Sequence, residues 1–195
     1  MSYALPSLPM IWESTPRLMD FGGRLRPPLG GPEQRIQRLG SRWSVDLRIG
    51  ALNATQAGAL LGVIMKATTQ GATVTTKWPQ EAGSAHGTPK VNGGSQAGSS
   101  LVVDGLSADV IKAGTFFSMT ISGRSYLHMV TDDVTPAAGA ATLSIAPMLR
   151  ASPADNADLD MATPTIEGFL SEEVLTWSVT MMMAASFTLS ITECE

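Results

Sequence analysis

Catalytic chemistry needs nucleophiles, acids and bases that converge, and this chain holds few residues able to supply them. There are two histidines, His86 and His128, and one cysteine, Cys194. Neither histidine belongs to a His-x-x-x-His or Cys-x-x-Cys spacing that would hold zinc, and a lone cysteine closes no disulfide within the chain. His128 falls in an alternating run and reads as a strand residue that faces solvent or makes one hydrogen bond; His86 lies among glycines and serines. Gly93, Gly94 and Gly98 build no phosphate loop, since no G-x-x-x-x-G-K-[ST] occurs, and Ser95 sits in no G-x-S-x-G elbow. Carboxylates gather at Asp132-Asp133, where a strand ends, and at Asp155, Asp158 and Asp160. The second group lacks the mid-loop glycine and terminal glutamate of a calcium loop, so it reads as acidic surface. The expectation is a protein that is not an enzyme, with no catalytic residue, no metal and no cofactor.

The elements that would position these residues follow from periodicity. Residues 42–49 alternate, with Trp43, Val45, Leu47 and Ile49 on one face and Ser44, Asp46 and Arg48 on the other, which predicts a half-buried strand. A helix follows: Asn53 is in N-cap position with Gln56 three residues on, Leu60, Leu61, Ile64, Met65 and Thr68 form the stripe, and Gly71 is the stop. Residues 72–78 alternate again and end at Pro79. Upstream, a short strand around Arg17 to Phe21 leads into Arg26-Pro27-Pro28-Leu29-Gly30-Gly31-Pro32, read as a loop or extended arm that a neighbouring subunit would order. Downstream, 81–100 is Gly/Ser-rich and reads as a flexible connector. Short strands are predicted at 101–103, 116–121, 126–130 and 141–146, the middle two joined through Ser122-Gly123-Arg124-Ser125, and they favour a small barrel. Residues 155–164 read as an acidic loop. Two further strands, 174–181 and 187–192, match the length of the first unit and return to it. The predicted fold class is mainly β with one flanking helix: a β-sandwich core over 1–80 and 171–195, the connector 81–100, and an inserted small β-barrel over 101–170.

Composition bears on what surrounds such a fold. Of 195 residues 44% are hydrophobic, enough for a core, yet only 15% are charged, against about 25% in ordinary globular proteins. So sparse a charged surface suits a protein covered by neighbouring subunits. Residues 1–100 carry ten Lys/Arg and five Asp/Glu, net +5; residues 101–195 carry three and twelve, net −9. Opposite halves on one chain suit head-to-tail contact between copies. The arginines, Arg17, Arg24, Arg26, Arg35, Arg38, Arg42 and Arg48, are spread out without interleaved aromatics, which argues against a DNA-recognition patch. Arg24, Arg26, Arg35 and Arg38 are the candidate intersubunit contacts. Met182, in the run Met181-Met182-Met183 among 11 methionines, joins them because a strand would turn it opposite to its neighbours. The N-terminal stretch has neither a basic region nor a long apolar run, and no membrane-spanning length of apolar residues occurs. The expectation is synthesis in the cytoplasm without membrane insertion.

One stretch carries a resemblance. Gly114-Thr115-Phe116-Phe117, then Tyr126-Leu127-His128, then Gly139-Ala140-Ala141-Thr142-Leu143-Ser144-Ile145-Ala146-Pro147-Met148-Leu149-Arg150 resemble a module of siphophage and gene-transfer-agent tail proteins. In that module a Gly-Asp opening, a strand, a Tyr-x-Val strand and a Gly-x-Ala-Thr-Leu-x-Ile-x-Pro-x-Leu-Arg ending follow one another. Thr115 departs from it, standing where the module often has Asp. The upstream strand-helix-strand with a C-terminal return is similar to the core shared by tail-tube and distal-tail proteins, so the likeness covers nearly the whole chain. It implies a tail-tube-like β-sandwich assembled as a six-fold homo-oligomeric ring in a virion tail, assembled in the host cytoplasm. Its partners would be the tail tube protein, the tip hub proteins and passing DNA read without sequence recognition. An acidic surface at Asp155, Asp158 and Asp160 would suit a channel wall that does not trap DNA. A distal tail ring protein is the expectation; the tube protein, another tail structural protein, and a carbohydrate-binding or hydrolytic tip module are the alternatives.

Overall fold

A computed structural model of the chain describes residues 1–6, 11–80, 85–171, 177–179 and 185–194. In chain order the elements are β1 (Ser2–Ala4), β2 (Ile11–Met19), β3 (Gly23–Leu25), β4 (Gln34–Ile36), β5 (Arg42–Leu52), α1 (Ala54–Gln70), β6 (Thr73–Lys77), β7 (Gly87–Val91), β8 (Gly98–Leu106), β9 (Phe116–Ile121), β10 (Arg124–Val130), β11 (Ala141–Leu149), β12 (Leu159–Asp160), β13 (Thr165–Leu170), β14 (Trp177–Val179) and β15 (Ala185–Glu193). The fold is mainly β with one helix, as the periodicity predicts. The chain divides into two units: Met1–Arg17 with Trp43–Glu81 and Thr165–Cys194, and Leu18–Arg42 with Ala82–Pro164.

The first unit is a mixed sheet in the order β1-β6-β13-β15-β5-β2, with β14 joined to β15. β1 runs parallel to β6, while β6, β13, β15 and β5 pair antiparallel in turn. Alternation in β5 and β15 brings Val45 opposite Ile191, Leu47 opposite Leu189 and Ile49 opposite Phe187, all six buried. Each such side chain stabilises the fold by about 1.5–3 kcal/mol relative to exposure. Helix α1 packs on β1, β6 and β15. Its start is fixed by Asn53, whose Oδ1 accepts the Gln56 N–H at 2.9 Å, while the Gln56 Oε1 accepts the Asn53 N–H at 3.1 Å. Its end is fixed by Gly71, left-handed at φ 59°. The buried stripe is Leu60, Ile64 and Ala67; Met65 and Thr68, expected on it, are exposed, because the helical repeat carries the stripe from Ile64 to Ala67.

The second unit holds a six-stranded sheet, β12-β9-β10-β11-β8-β7, and a separate two-stranded sheet, β3-β4. The six strands close on themselves. The Val91 N–H donates to the Ala157 carbonyl and the Asn156 N–H to the Val91 carbonyl, both at 2.9 Å, and Lys90 bridges to Asp158, so β7 meets the strand that contains β12. The interior holds Leu101, Val103, Phe117, Met119, Leu143, Ile145 and Leu149.

Three expectations are corrected. Residues 81–100 are not a connector throughout, because Gly87–Val91 is β7 and β8 begins at Gly98. Backbone pairing needs no particular side chain, and Gly87, Gly93 and Gly98 serve as positive-φ positions around a hairpin. The barrel ends before 170, since Thr165–Leu170 pairs with β6 and β15 of the first unit. The acidic loop 155–164 contains β12, whose two residues pair with β9 and are too few to show alternation. The predicted strand 174–181 falls partly outside the described residues; within them Trp177–Val179 pairs with β15.

Candidate assembly surface

The arm predicted between the first strand and β5 is a β-hairpin. Gly23, Arg24 and Leu25 face Ile36, Arg35 and Gln34 across it, and Pro27, Leu29, Gly30 and Pro32 lie in its loop. Alternation puts Arg24 and Arg26 with Glu33 and Arg35 on one face, and Leu25 with Ile36 on the other. The Arg24 and Arg26 guanidiniums lie 3.7 and 3.4 Å from Glu33, and Arg35 lies 3.1 Å from Asp20. Arg38 is exposed. At the base, Asp20 accepts the Gly22 N–H and the Ser41 hydroxyl, both at 2.9 Å. These bonds, Gly22 foremost, and then Arg35, hold its carboxyl below the usual carboxylate value. The Arg42 guanidinium sits 4.9 Å from the Phe21 ring centre.

No residue from Leu18 to Arg42 is buried, although the segment is rich in apolar side chains. Leu18, Met19, Phe21, Leu25, Leu29 and Leu39 are all exposed, Leu29 at 97%, and they are six of the thirteen large exposed hydrophobics among the described residues. The sequence singled out the arginines here; it missed the apolar set and the acids Glu33 and Asp20. A signal was present, since Arg24-Leu25-Arg26 and Gln34-Arg35-Ile36 alternate around Gly30-Gly31, which is a hairpin pattern. Met182 lies outside the described residues.

The acidic group is exposed and locally engaged. Asp155 accepts the Gly93 N–H at 2.8 Å, Asp158 pairs with Lys90 at 2.8 Å, and Asp160 accepts the Thr163 N–H at 2.8 Å. Lys90 faces Asp104 across β8 and Asp158 on its other side, and Asp158 foremost raises its pKa above the usual lysine value. The result is a ladder of alternating charge along the closing seam of the barrel. Asp133 is held below its usual value by Lys112, 2.7 Å away, and by the Ala113 N–H. Asp132 lies beside it, bonded to the Thr131 hydroxyl.

His128 is not at the surface. It shares the inward face of β10 with Tyr126 and Val130, opposite Phe117, and is fully buried. Its Nδ1 donates to the Pro147 carbonyl at 2.8 Å and its ring stacks on Phe117 at 5.7 Å, while Nε2 has no hydrogen-bond partner. Burial, with the Arg150 charge adding to it and the Pro147 bond opposing, pushes its pKa down to about 4. His86 is half-buried at positive φ. Cys194 is buried, with its N–H on the Glu167 carbonyl.

On the first unit's sheet two shallow depressions of about 290 and 330 Å³ share Arg48 and Thr188. Glu13 and Asp46 line the second, and each faces an arginine: Arg48 at 3.8 Å and Arg17 at 2.5 Å. Among the described residues no helix is long and apolar enough to cross a membrane. Among the described residues no group of three or more His, Cys, Asp or Glu is placed to hold a metal ion. Comparison with protein families and with curated proteins returns no match to this chain.

Proposed function

We propose that this chain is a structural component of a tailed-phage virion: a distal tail ring protein that self-associates, joins the tail tube to the tip hub and continues the DNA channel without reading sequence. The observation that carries self-association is the hairpin. Twenty-five residues, Leu18–Arg42, contribute nothing to a core yet hold an ordered pair of strands rich in exposed leucine and arginine. Ordering a residue costs about 1–2 kcal/mol in backbone entropy, and a two-stranded hairpin is marginal alone, so its stabilisation falls to a partner surface. The tail assignment rests on the resemblance of residues 113–150 to the tail-protein module and of β5-α1-β6 to the tail-tube core. The chain acts without a cofactor and without catalysis, and it works in the virion tail after assembly in the host cytoplasm.

The test is electron microscopy of the purified chain in negative stain, with mass measured by light scattering. Discrete closed rings, expected six-fold, are the predicted outcome. Long helical polymers would make it the tube protein. A monomer at every concentration would overturn the reading. A monomer that also binds an oligosaccharide would move it to a tip recognition module.

A further inference from the structure

The hairpin contains a conflict that the single chain leaves in place. Arg24 and Arg35 are directly opposite each other across the two strands, with Arg26 on the same face. Like charges in a cross-strand pair are destabilising. Among the described residues Glu33 and Asp20 answer the three guanidiniums, and the arginine side chains remain about two-thirds or more exposed. Over Leu18–Arg42 the charges are five arginines, Arg24, Arg26, Arg35, Arg38 and Arg42, against Asp20 and Glu33, a net of +3.

The barrel carries the complement. Along its closing seam Asp104 and Asp158 flank Lys90, and Asp155 and Asp160 lie on the same segment as Asp158, four carboxylates to one ammonium, a net of −3. Asp158 is 83% exposed at its side chain although it pairs with Lys90, so its outer face is open to a further cation. A carboxylate accepts more than one hydrogen bond, and an arginine fork suits such a site better than a lysine does.

We infer that the hairpin of one copy docks on the Asp104–Lys90–Asp158 seam of the next, with Arg24 and Arg35 placed against the aspartates. The contact is heterologous, residue set to different residue set, which closes into a ring where its rotation permits and otherwise extends into a helical filament. This rests on the self-association reading and names the two surfaces that meet. It also takes Asp155, Asp158 and Asp160 into a subunit contact, so they would not line a channel.

Charge reversal tests it on the full chain. One variant reverses the hairpin, Arg24→Glu with Arg35→Glu. A second inverts the seam while keeping its internal pairs: Asp104→Lys, Lys90→Glu and Asp158→Lys. A third combines all five. Circular dichroism establishes that each is folded, and light scattering across a concentration series gives the assembly midpoint. Each separate reversal is expected to raise the midpoint by about tenfold or more, and the combination to bring it back toward wild type. Raising salt should weaken wild-type assembly in the same direction. The pairing is overturned if either reversal assembles as wild type does, or if the combination is no better than its parts. It is equally overturned if the wild type shifts a short DNA duplex, the hairpin reversal abolishes that shift, and assembly is unchanged. A wild-type chain that never assembles would instead remove the ring reading itself.

Discussion

His128 shows how one side chain couples a buried site to solution conditions. Its Nδ1–H is satisfied by Pro147, but the buried Nε2 has no hydrogen-bond partner, and protonating it there would put a charge beside Phe117 that burial and the Arg150 charge both oppose. Its pKa is therefore lowered from 6.5 to about 4. Unfolding returns it to the ordinary value, so between those limits the unfolded chain binds more protons than the folded one. Stability is complete above pH 6.5 and falls as pH drops toward 4, by roughly 2 kcal/mol at pH 5 and roughly 3 in total. Urea unfolding at pH 7 and pH 5 should show this loss in wild type. In His128→Phe, which keeps an aromatic ring against Phe117, the difference should shrink by most of that amount, with a constant cost at both pH values for the unpaired Pro147 carbonyl. An unchanged pH dependence would show that His128 is not the titrating group. The sequence reads His128 as a strand residue that faces solvent or makes one hydrogen bond; the strand and the single bond are there, and the burial is what the pattern does not show. In a closed barrel inward positions belong to the same alternation as outward ones, and only the register against Phe117 tells which face is which.

At the scale of elements, legibility followed locality. The β5-α1-β6 unit could be read because its signals lie within a few residues: alternation in β5, the Asn53 and Gln56 box, the Gly71 stop. Asn53→Ala should therefore cost about 1 kcal/mol in denaturant unfolding, through loss of the cap alone. The β9-β10 hairpin was equally plain, its strands joined by Ser122-Gly123, both at positive φ. β7 and β12 were hidden because what makes them strands is a partner distant in sequence: Val91 pairs with residues 156 and 157. The return of β15 was read from its pattern, but the closeness of β13 to it was not. Gly168 faces Glu193 there, and a Cβ on Gly168 would collide with the Thr192 carbonyl, a backbone atom that cannot swing aside. Gly168→Ala is expected to destabilise the first unit by about 2 kcal/mol or more, since the strands must separate to admit the methyl. Thermal unfolding reads this directly. A loss below about 0.5 kcal/mol, the range of an ordinary surface change, would mean the two strands pack less tightly than this pairing requires.

For the molecule as a whole, the question is which residues serve its own fold and which serve something outside it. Among the described residues, core side chains include Leu5, Trp43 and many that follow in both units, and the stretch from Leu18 to Arg42 supplies none. Within it, β3 and β4 hold no core and pair with each other, so residues 23–36 should be removable without loss of stability, whereas a segment retained for association should take assembly with it. Replacing residues 23–36 by a short Gly/Ser turn separates the two. Because no buried residue is lost, the midpoint of thermal unfolding should stay close to that of an unassembled wild-type reference. Because the replaced stretch carries the exposed Leu25 and Leu29 and the face of Arg24, Arg26 and Arg35, association should fail even at high protein concentration. The comparison must be made with wild type held dissociated, by dilution or salt, since assembly adds its own stabilisation to the folded state. If the shortened chain still assembles, the hairpin is not the principal contact. If it unfolds, the hairpin belongs to the fold after all, and the exposed leucines need another explanation. Assembly lost with the fold intact is the outcome that a chain sparing in surface charge, yet generous with apolar surface on one ordered arm, leads one to expect.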